Sequence, residues 1–134
     1  MKKRILAIDD SKAIRFLLQT VLGRDYEVIT VPDGYSAMYY LSRRSLPHLI
    51  IADPVLPDME DWELIHQLSS SGIYGDIPTI VLSGLDNSET EAKCLEYGVS
   101  KYFLKPFNPV ELIGAISNVV KDGKLDEGLL YAAG

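Results

Sequence analysis

The chain has 134 residues, 47% hydrophobic and 24% charged, which suits one globular domain with a full core and excludes a disordered chain or a coiled coil. Its 13 basic and 19 acidic residues leave a net charge of −6, a poor basis for direct nucleic-acid binding, where affinity comes from neutralised phosphates. The single cysteine, Cys94, excludes an internal disulfide and suits a reducing compartment.

The start, Lys2-Lys3-Arg4, resembles the basic region of a secretory leader, but only Ile5-Leu6-Ala7-Ile8 follows before Asp9-Asp10. No later stretch has the length to span a bilayer, so a cytoplasmic location without a membrane partner is expected. Ile14, Leu17, Leu18 and Val21 then recur at helical spacing, with Asp10 or Ser11 as N-cap and Gly23 as the stop. Val28-Ile29-Thr30-Val31 is a β-branched run closed by the turn Pro32-Asp33-Gly34. Ala37, Tyr40 and Leu41 mark a second helix face, and Tyr35, Tyr39 and Tyr40 are expected to pack there with one wet edge.

His48 opens a strand, Leu49-Ile50-Ile51-Ala52, that delivers Asp53. Pro54 to Glu60 reads as a loop, and Trp62 as a partly buried anchor at the start of a helix over Leu64, Ile65 and Leu68. Gly72 to Pro78 is a turn region before Ile80-Val81-Leu82, which runs into Ser83. A helix from roughly Asn87 to Tyr97 ends at Gly98; Ala92 and Leu95 define its face, which leaves Cys94 to one side and partly exposed. Tyr102-Phe103-Leu104 runs into Lys105-Pro106, and Asn108 or Pro109 opens a last helix with Leu112, Ile113, Ile116 and Val120 on one face. Residues after Gly123 fit no periodic element.

Strand and helix thus alternate five times, which right-handed crossovers turn into a doubly wound α/β parallel sheet with helices on both faces. In such a sheet Asp9, Asp10, Asp53, Ser83 and Lys105 converge at the carboxyl edge, where ligands bind. Taken singly, each has a plainer explanation: a helix cap, a turn residue, a surface ammonium. Together, three carboxylates repel one another unless a cation joins them, and Mg²⁺ prefers such oxygen ligands shared with phosphate. Asp53, held extended by Pro54, suits a carboxylate nucleophile that accepts a phosphoryl group. Ser83 and Lys105 offer a hydroxyl and a point charge to phosphoryl oxygens. His48 and His66 lack partner spacing for a metal, and neither G-x-x-x-x-G-K-[ST] nor G-x-G-x-x-G occurs.

The acid pair Asp9-Asp10, the stretch Asp53-Pro-Val-Leu-Pro-Asp-Met-Glu, Ser83-Gly84 and Tyr102-Phe-Leu-Lys105-Pro106-Phe107 resemble a response-regulator receiver domain of two-component signalling, over residues 3–121. The resemblance implies a flavodoxin-like five-stranded sheet in the order 2-1-3-4-5, with residues 1–122 as the domain and 123–134 as a tail or the start of a linker. It implies Asp53 as phosphoacceptor, Mg²⁺ on Asp9, Asp10, Asp53 and the Val55 carbonyl, Ser83 and Tyr102 as switch residues, Lys105 as phosphate partner, and a cis Lys105-Pro106 bond. The phosphoryl donor would be a sensor histidine kinase or a phosphotransfer protein. A downstream effector would meet the fourth helix, fifth strand and fifth helix. No enzymatic activity beyond self-phosphorylation and dephosphorylation is implied.

Three departures stand out. Pro54 removes a backbone donor beside the acceptor, Met59-Glu60-Asp61 replaces the usual Met-Asp-Gly, and Ser83 replaces the commoner threonine. Apolar Val55 and Leu85 occupy positions that influence phosphoryl lifetime in the family, and a long-lived phosphorylated form is the expectation from them. Two rival readings are a degenerate receiver that binds partners without phosphate and a phosphatase of the haloacid dehalogenase type. The latter places Asp-x-Asp after its first strand, whereas here the first acids are adjacent and the lone acid follows the third strand.

Overall fold

The computed structural model describes residues 2–43, 45–85 and 88–120; the expected tail over 123–134 and the helix start at Asn87 lie outside them. Five strands, β1 (Lys3–Ile8), β2 (Tyr26–Val31), β3 (Leu49–Ala52), β4 (Thr79–Ser83) and β5 (Lys101–Leu104), form one parallel sheet in the order β2-β1-β3-β4-β5. Between them run α1 (Lys12–Leu22), α2 (Gly34–Arg43), α3 (Glu63–Ser70) and α4 (Ser88–Glu96), and α5 (residues 109–120) follows β5.

Strand alternation sorts the core into two layers. Leu6, Ile8, Ile50, Ala52 and Val81 face α2, α3 and α4, meeting Ala37, Leu41, Leu64, Ile65 and Leu68. Ile5, Ala7, Leu49, Ile51, Ile80 and Leu82 face α1 and α5, meeting Leu18, Leu22, Leu112 and Ile116. Both faces of the sheet are therefore covered, which explains why the strands read as continuous apolar runs.

The caps follow from local chemistry. Ser11 Oγ accepts from the Ile14 amide at 3.2 Å and starts α1. Asn108 Oδ1 accepts from Val110 N at 2.8 Å, with Pro109 in the first turn of α5. Gly98, at φ 66°, ends α4, and Val99 N reaches back to the Cys94 carbonyl at 2.9 Å. Gly23 ends α1 differently: its φ of −65° is right-handed, so the stop uses no left-handed turn.

Several expectations need correction. The buried face of α4 is Thr90 and Cys94, not Ala92 and Leu95; Cys94 is 4% exposed and Leu95 78%. α4 carries few large apolar residues, and the small side chains of Thr90 and Cys94 are the ones it turns inward. Tyr35 and Tyr39 are 66% and 64% exposed rather than packed with one wet edge, and Arg43 lies over the Tyr39 ring at 5.1 Å. Trp62 is more deeply buried than expected, at 5% exposure, with Tyr97 alongside at 6.3 Å between ring centroids. Ile113 lies at the margin of the α5 face, 37% exposed. His48 precedes β3 rather than opening it, its Nδ1 accepting from Arg4 N at 2.9 Å.

Burial pushes the Cys94 thiol up to about 11, so little thiolate exists at neutral pH. The native protein is therefore expected to react with Ellman's reagent at least about tenfold more slowly than the denatured chain. Equal rates in the two states would place Cys94 on the surface and refute the corrected α4 register.

Candidate functional site

Strand register brings the polar residues together. Ile8 pairs with Ala52, so Asp9 and Asp53 each stand one residue beyond neighbouring strands. Asp9 N bonds to Val31 O at 3.1 Å and Asp53 N to Ile8 O at 3.0 Å, which carries the ladder one step past the strand ends. Ser83 pairs with Leu104, and Lys105 N bonds to Ser83 O at 2.8 Å. Four chain segments thus reach one edge of the sheet, as the parallel topology requires.

The Lys105 ammonium lies between two carboxylates: Nζ donates to Asp9 Oδ2 at 2.7 Å and to Asp53 Oδ2 at 2.6 Å. The other oxygens are also engaged. Asp9 Oδ1 accepts from Ser11 N at 2.9 Å, and Asp53 Oδ1 from Val55 N at 2.8 Å. Asp9 and Asp53 are buried while Asp10 is exposed, so the acid pair splits into one inward and one outward carboxylate. Burial pushes the Asp53 carboxyl up, against the pull of the Lys105 ammonium and the Val55 amide. Burial lowers the Lys105 ammonium, but its bonds to Asp53 and Asp9 outweigh this and hold it above the ordinary lysine range.

One carboxylate oxygen from each of Asp9, Asp10 and Asp53 lies within 4.8 Å of the other two. Three hard oxygen donors fit an oxygen-seeking divalent cation such as Mg²⁺, which is usually held by a few carboxylates together with waters and phosphate oxygens. Val55 stands beside this group, 39% exposed, with its amide already on Asp53.

Ser83 is fully buried and its hydroxyl is turned toward the loop that follows β4. Its Oγ accepts from Leu85 N at 3.0 Å and donates to Leu85 O at 3.3 Å. Tyr102 is half-buried against the α4 side of the core, in a groove of about 320 Å³ shared with Cys94, Leu95 and Val99. Phe103 points to the opposite layer, as the alternation predicts. Of the residues singled out in the sequence, Asp9, Asp10, Asp53 and Lys105 form one cluster, whereas Ser83 and Tyr102 lie on the neighbouring β4–α4 and β5 segments.

Sequence reasoning missed two supports of the acceptor loop. Asp58 accepts from Gly34 N at 2.9 Å and Tyr35 N at 2.8 Å, tying the loop to the start of α2. Although even slight burial disfavours its charge, those two amides draw the Asp58 carboxyl below the usual range. A Cβ on Gly34 would come within 2.5 Å of Met59 Sδ, so the glycine also lets the loop approach. Among the described non-glycine residues the positive φ, 67°, falls on Trp62, directly after Glu60-Asp61. Trp62 N bonds to Pro54 O at 2.8 Å and closes the loop, and buried packing holds this conformation. Neither support left a local signal: Asp58 meets partners 23 and 24 residues away, and a tryptophan does not announce a left-handed turn. The Lys105-Pro106 bond is cis.

Among the described residues no helix is long and apolar enough to cross a membrane. Comparison with known proteins agrees with the geometry. The family model "Response regulator receiver domain" matches residues 5–117. The chain is 35% identical over 121 residues to a probable transcriptional regulator, ycf27, of Galdieria sulphuraria, covering 90% of this chain and 46% of that protein. It is 32% identical to the sensor histidine kinase TmoS of Ectopseudomonas mendocina, covering 87% of this chain and 12% of TmoS. The chain therefore spans half or less of these relatives. The structure of the chemotaxis response regulator CheY4 of Vibrio cholerae superposes with a TM-score of 0.78 at 28% identity, covering 89% of this chain and 99% of that one. With its sheet order, the cluster at the sheet edge and the family match in accord, the chain belongs to the response-regulator receiver domains of two-component signal transduction.

Proposed function

We propose that this receiver is a phosphorylation-controlled switch in which Asp53 accepts a phosphoryl group from a phosphohistidine on a sensor histidine kinase or a phosphotransfer protein. The observation that carries the reading is the Lys105 ammonium bonded at once to Asp53 and Asp9, beside a third carboxylate. A carboxylate oxygen of Asp53 forms the new O–P bond as the donor's N–P bond breaks, and the released imidazole nitrogen takes up a proton. Phosphoryl transfer needs positioning and charge neutralisation more than covalent help. Asp9, Asp10, Asp53 and the Val55 carbonyl would hold Mg²⁺, whose chemistry is to neutralise charge on the phosphoryl oxygens.

Lys105 is already placed on the acceptor and offers its point charge to the incoming oxygens. Ser83 turns from Leu85 toward the phosphoryl group, and the space it leaves favours an inward Tyr102. The face built from α4, β5 and α5, which exposes Leu95, Val110 and Ile113, is then remodelled for a downstream effector. A shift from 1:99 to 99:1 between the two states takes roughly 5.5 kcal/mol, shared between the phosphoryl group and that effector.

Intact-mass measurement after incubation with acetyl phosphate and Mg²⁺ tests the reading. The expected result is one added phosphoryl group in the unmutated protein and none in Asp53→Ala or without Mg²⁺. No gain in the unmutated protein would leave a phosphorylation-independent binding module instead.

Val55, two residues after the acceptor, and Leu85, two after Ser83, are 39% and 41% exposed and carry apolar side chains that cannot orient an attacking water. Phosphate loss from the double variant Val55→Asn, Leu85→Glu should be at least about tenfold faster than from the unmutated protein, a part of the roughly hundredfold or more that a fully positioned general base contributes. Unchanged decay would show that the lifetime is set elsewhere.

A further inference from the structure

The bonds around Leu85 assign a role to Thr90, a residue that the phosphoryl chemistry above does not use. Thr90 lies on α4, is 1% exposed, and its Oγ1 donates to the Leu85 carbonyl at 3.0 Å. That same carbonyl receives the Ser83 hydroxyl at 3.3 Å, while the Leu85 amide donates back to Ser83 Oγ at 3.0 Å. One peptide group thus joins a fully buried switch hydroxyl to a buried hydroxyl on the next helix.

We propose that Thr90 is a positioning residue that retains Ser83 in its resting orientation by holding the Leu85 peptide in place. This rests on the reading of Ser83 as the hydroxyl that moves toward phosphorylated Asp53. To make that move, Ser83 Oγ must give up both bonds to Leu85. Leu85 is 41% exposed and belongs to neither buried core cluster, so its backbone is not fixed by a core side chain of its own. Thr90, seated in the core, supplies the fixed point. Of the two bonds to the carbonyl, the one from Thr90 is the shorter, at 3.0 Å against 3.3 Å from Ser83. Removing the Thr90 hydroxyl frees the Leu85 peptide, weakens the hold on Ser83 and makes its inward turn cheaper. The consequence is a built-in bias: α4 opposes the active state until phosphorylation overcomes it.

Beryllofluoride, which adds to a carboxylate as a phosphoryl mimic in the presence of Mg²⁺, measures that bias. It is titrated into the full chain, with the Leu85 amide resonance as readout and thermal unfolding checked for each variant. Thr90→Val, which keeps the shape and removes the hydroxyl, should bind about three- to tenfold more tightly than the unmutated protein, the effect of about one hydrogen bond. Thr90→Ser should restore the original affinity. In a Ser83→Ala background, Thr90→Val should change affinity by less than about twofold, because the coupling runs through the serine. If Thr90→Val is too unstable to titrate, Thr90→Ala carries the same expectation.

Unchanged or weaker binding by the hydroxyl-free variants overturns the proposal. So does equal tightening with and without Ser83, which a merely structural role of Thr90 would produce. An unmutated protein that takes up no beryllofluoride overturns the phosphoacceptor reading itself, and with it the basis for a Thr90 role.

Discussion

Everything at the carboxyl edge of this sheet depends on one ammonium group. Lys105 carries its charge between Asp9 and Asp53, at 2.7 and 2.6 Å, where both acids are buried. Two such carboxylates on neighbouring strands would otherwise repel each other in a medium that screens poorly. A buried ion pair is weak evidence for stability, because desolvation offsets most of its Coulomb gain. Its value here is arrangement: the acids are kept close, their remaining oxygens are tied by the Ser11 and Val55 amides, and the acceptor stays in one orientation. A site that turns a carboxylate into an acyl phosphate must tolerate a gain of about one negative charge and a larger anionic group, and a lysine on a flexible stem can follow that change.

The fold supplies this arrangement through register. Parallel pairing places Asp9 and Asp53 one step beyond Ile8 and Ala52, and Lys105 one step beyond the Ser83–Leu104 pair. Around this rigid edge the connecting loops are fastened in different ways. The β3–α3 loop is held by Asp58 on the α2 amides and by Trp62 N on Pro54 O. Where β4 leads toward α4, the described residues Ser83 and Thr90 instead place their hydroxyls on the Leu85 peptide, and the Ser83 hydroxyl can exchange partners at small cost. The stiff loop carries the acceptor, and the exchangeable one leads to α4. That division suits a site whose chemistry stays in place while a neighbouring surface moves.

Much of this was legible in the sequence because it depends on short-range rules. Apolar runs buried on both faces, each ended by a polar residue, located β1, β3, β4 and β5 and the residues they deliver. Caps at Ser11 and Asn108 and the stop at Gly98 follow from chemistry within a few residues. The misses have another origin. On α4, Leu95 outweighs Cys94 in hydrophobicity, yet packing against the sheet selects the small residues and turns Leu95 outward. The Asp58 contact with α2 joins residues 23 and 24 positions apart and leaves no local trace. The left-handed backbone at Trp62 contradicts local preference and is sustained by burial of the indole, which only the folded chain provides. The exposed Tyr35 and Tyr39 likewise show that aromatic content on a helix does not by itself decide which side is covered.

The most direct measurement of the central claim is the stability of Lys105→Met, by denaturant unfolding with and without saturating Mg²⁺. If the ammonium is what reconciles Asp9 with Asp53, the metal-free variant should lose about 2 kcal/mol or more, a figure at or below the usual cost of breaking a buried pair because the Lys105 side chain is 20% exposed. A divalent ion should then restore most of that loss, since it binds the folded acids and not the unfolded chain. A variant as stable as the original and indifferent to Mg²⁺ would contradict the account.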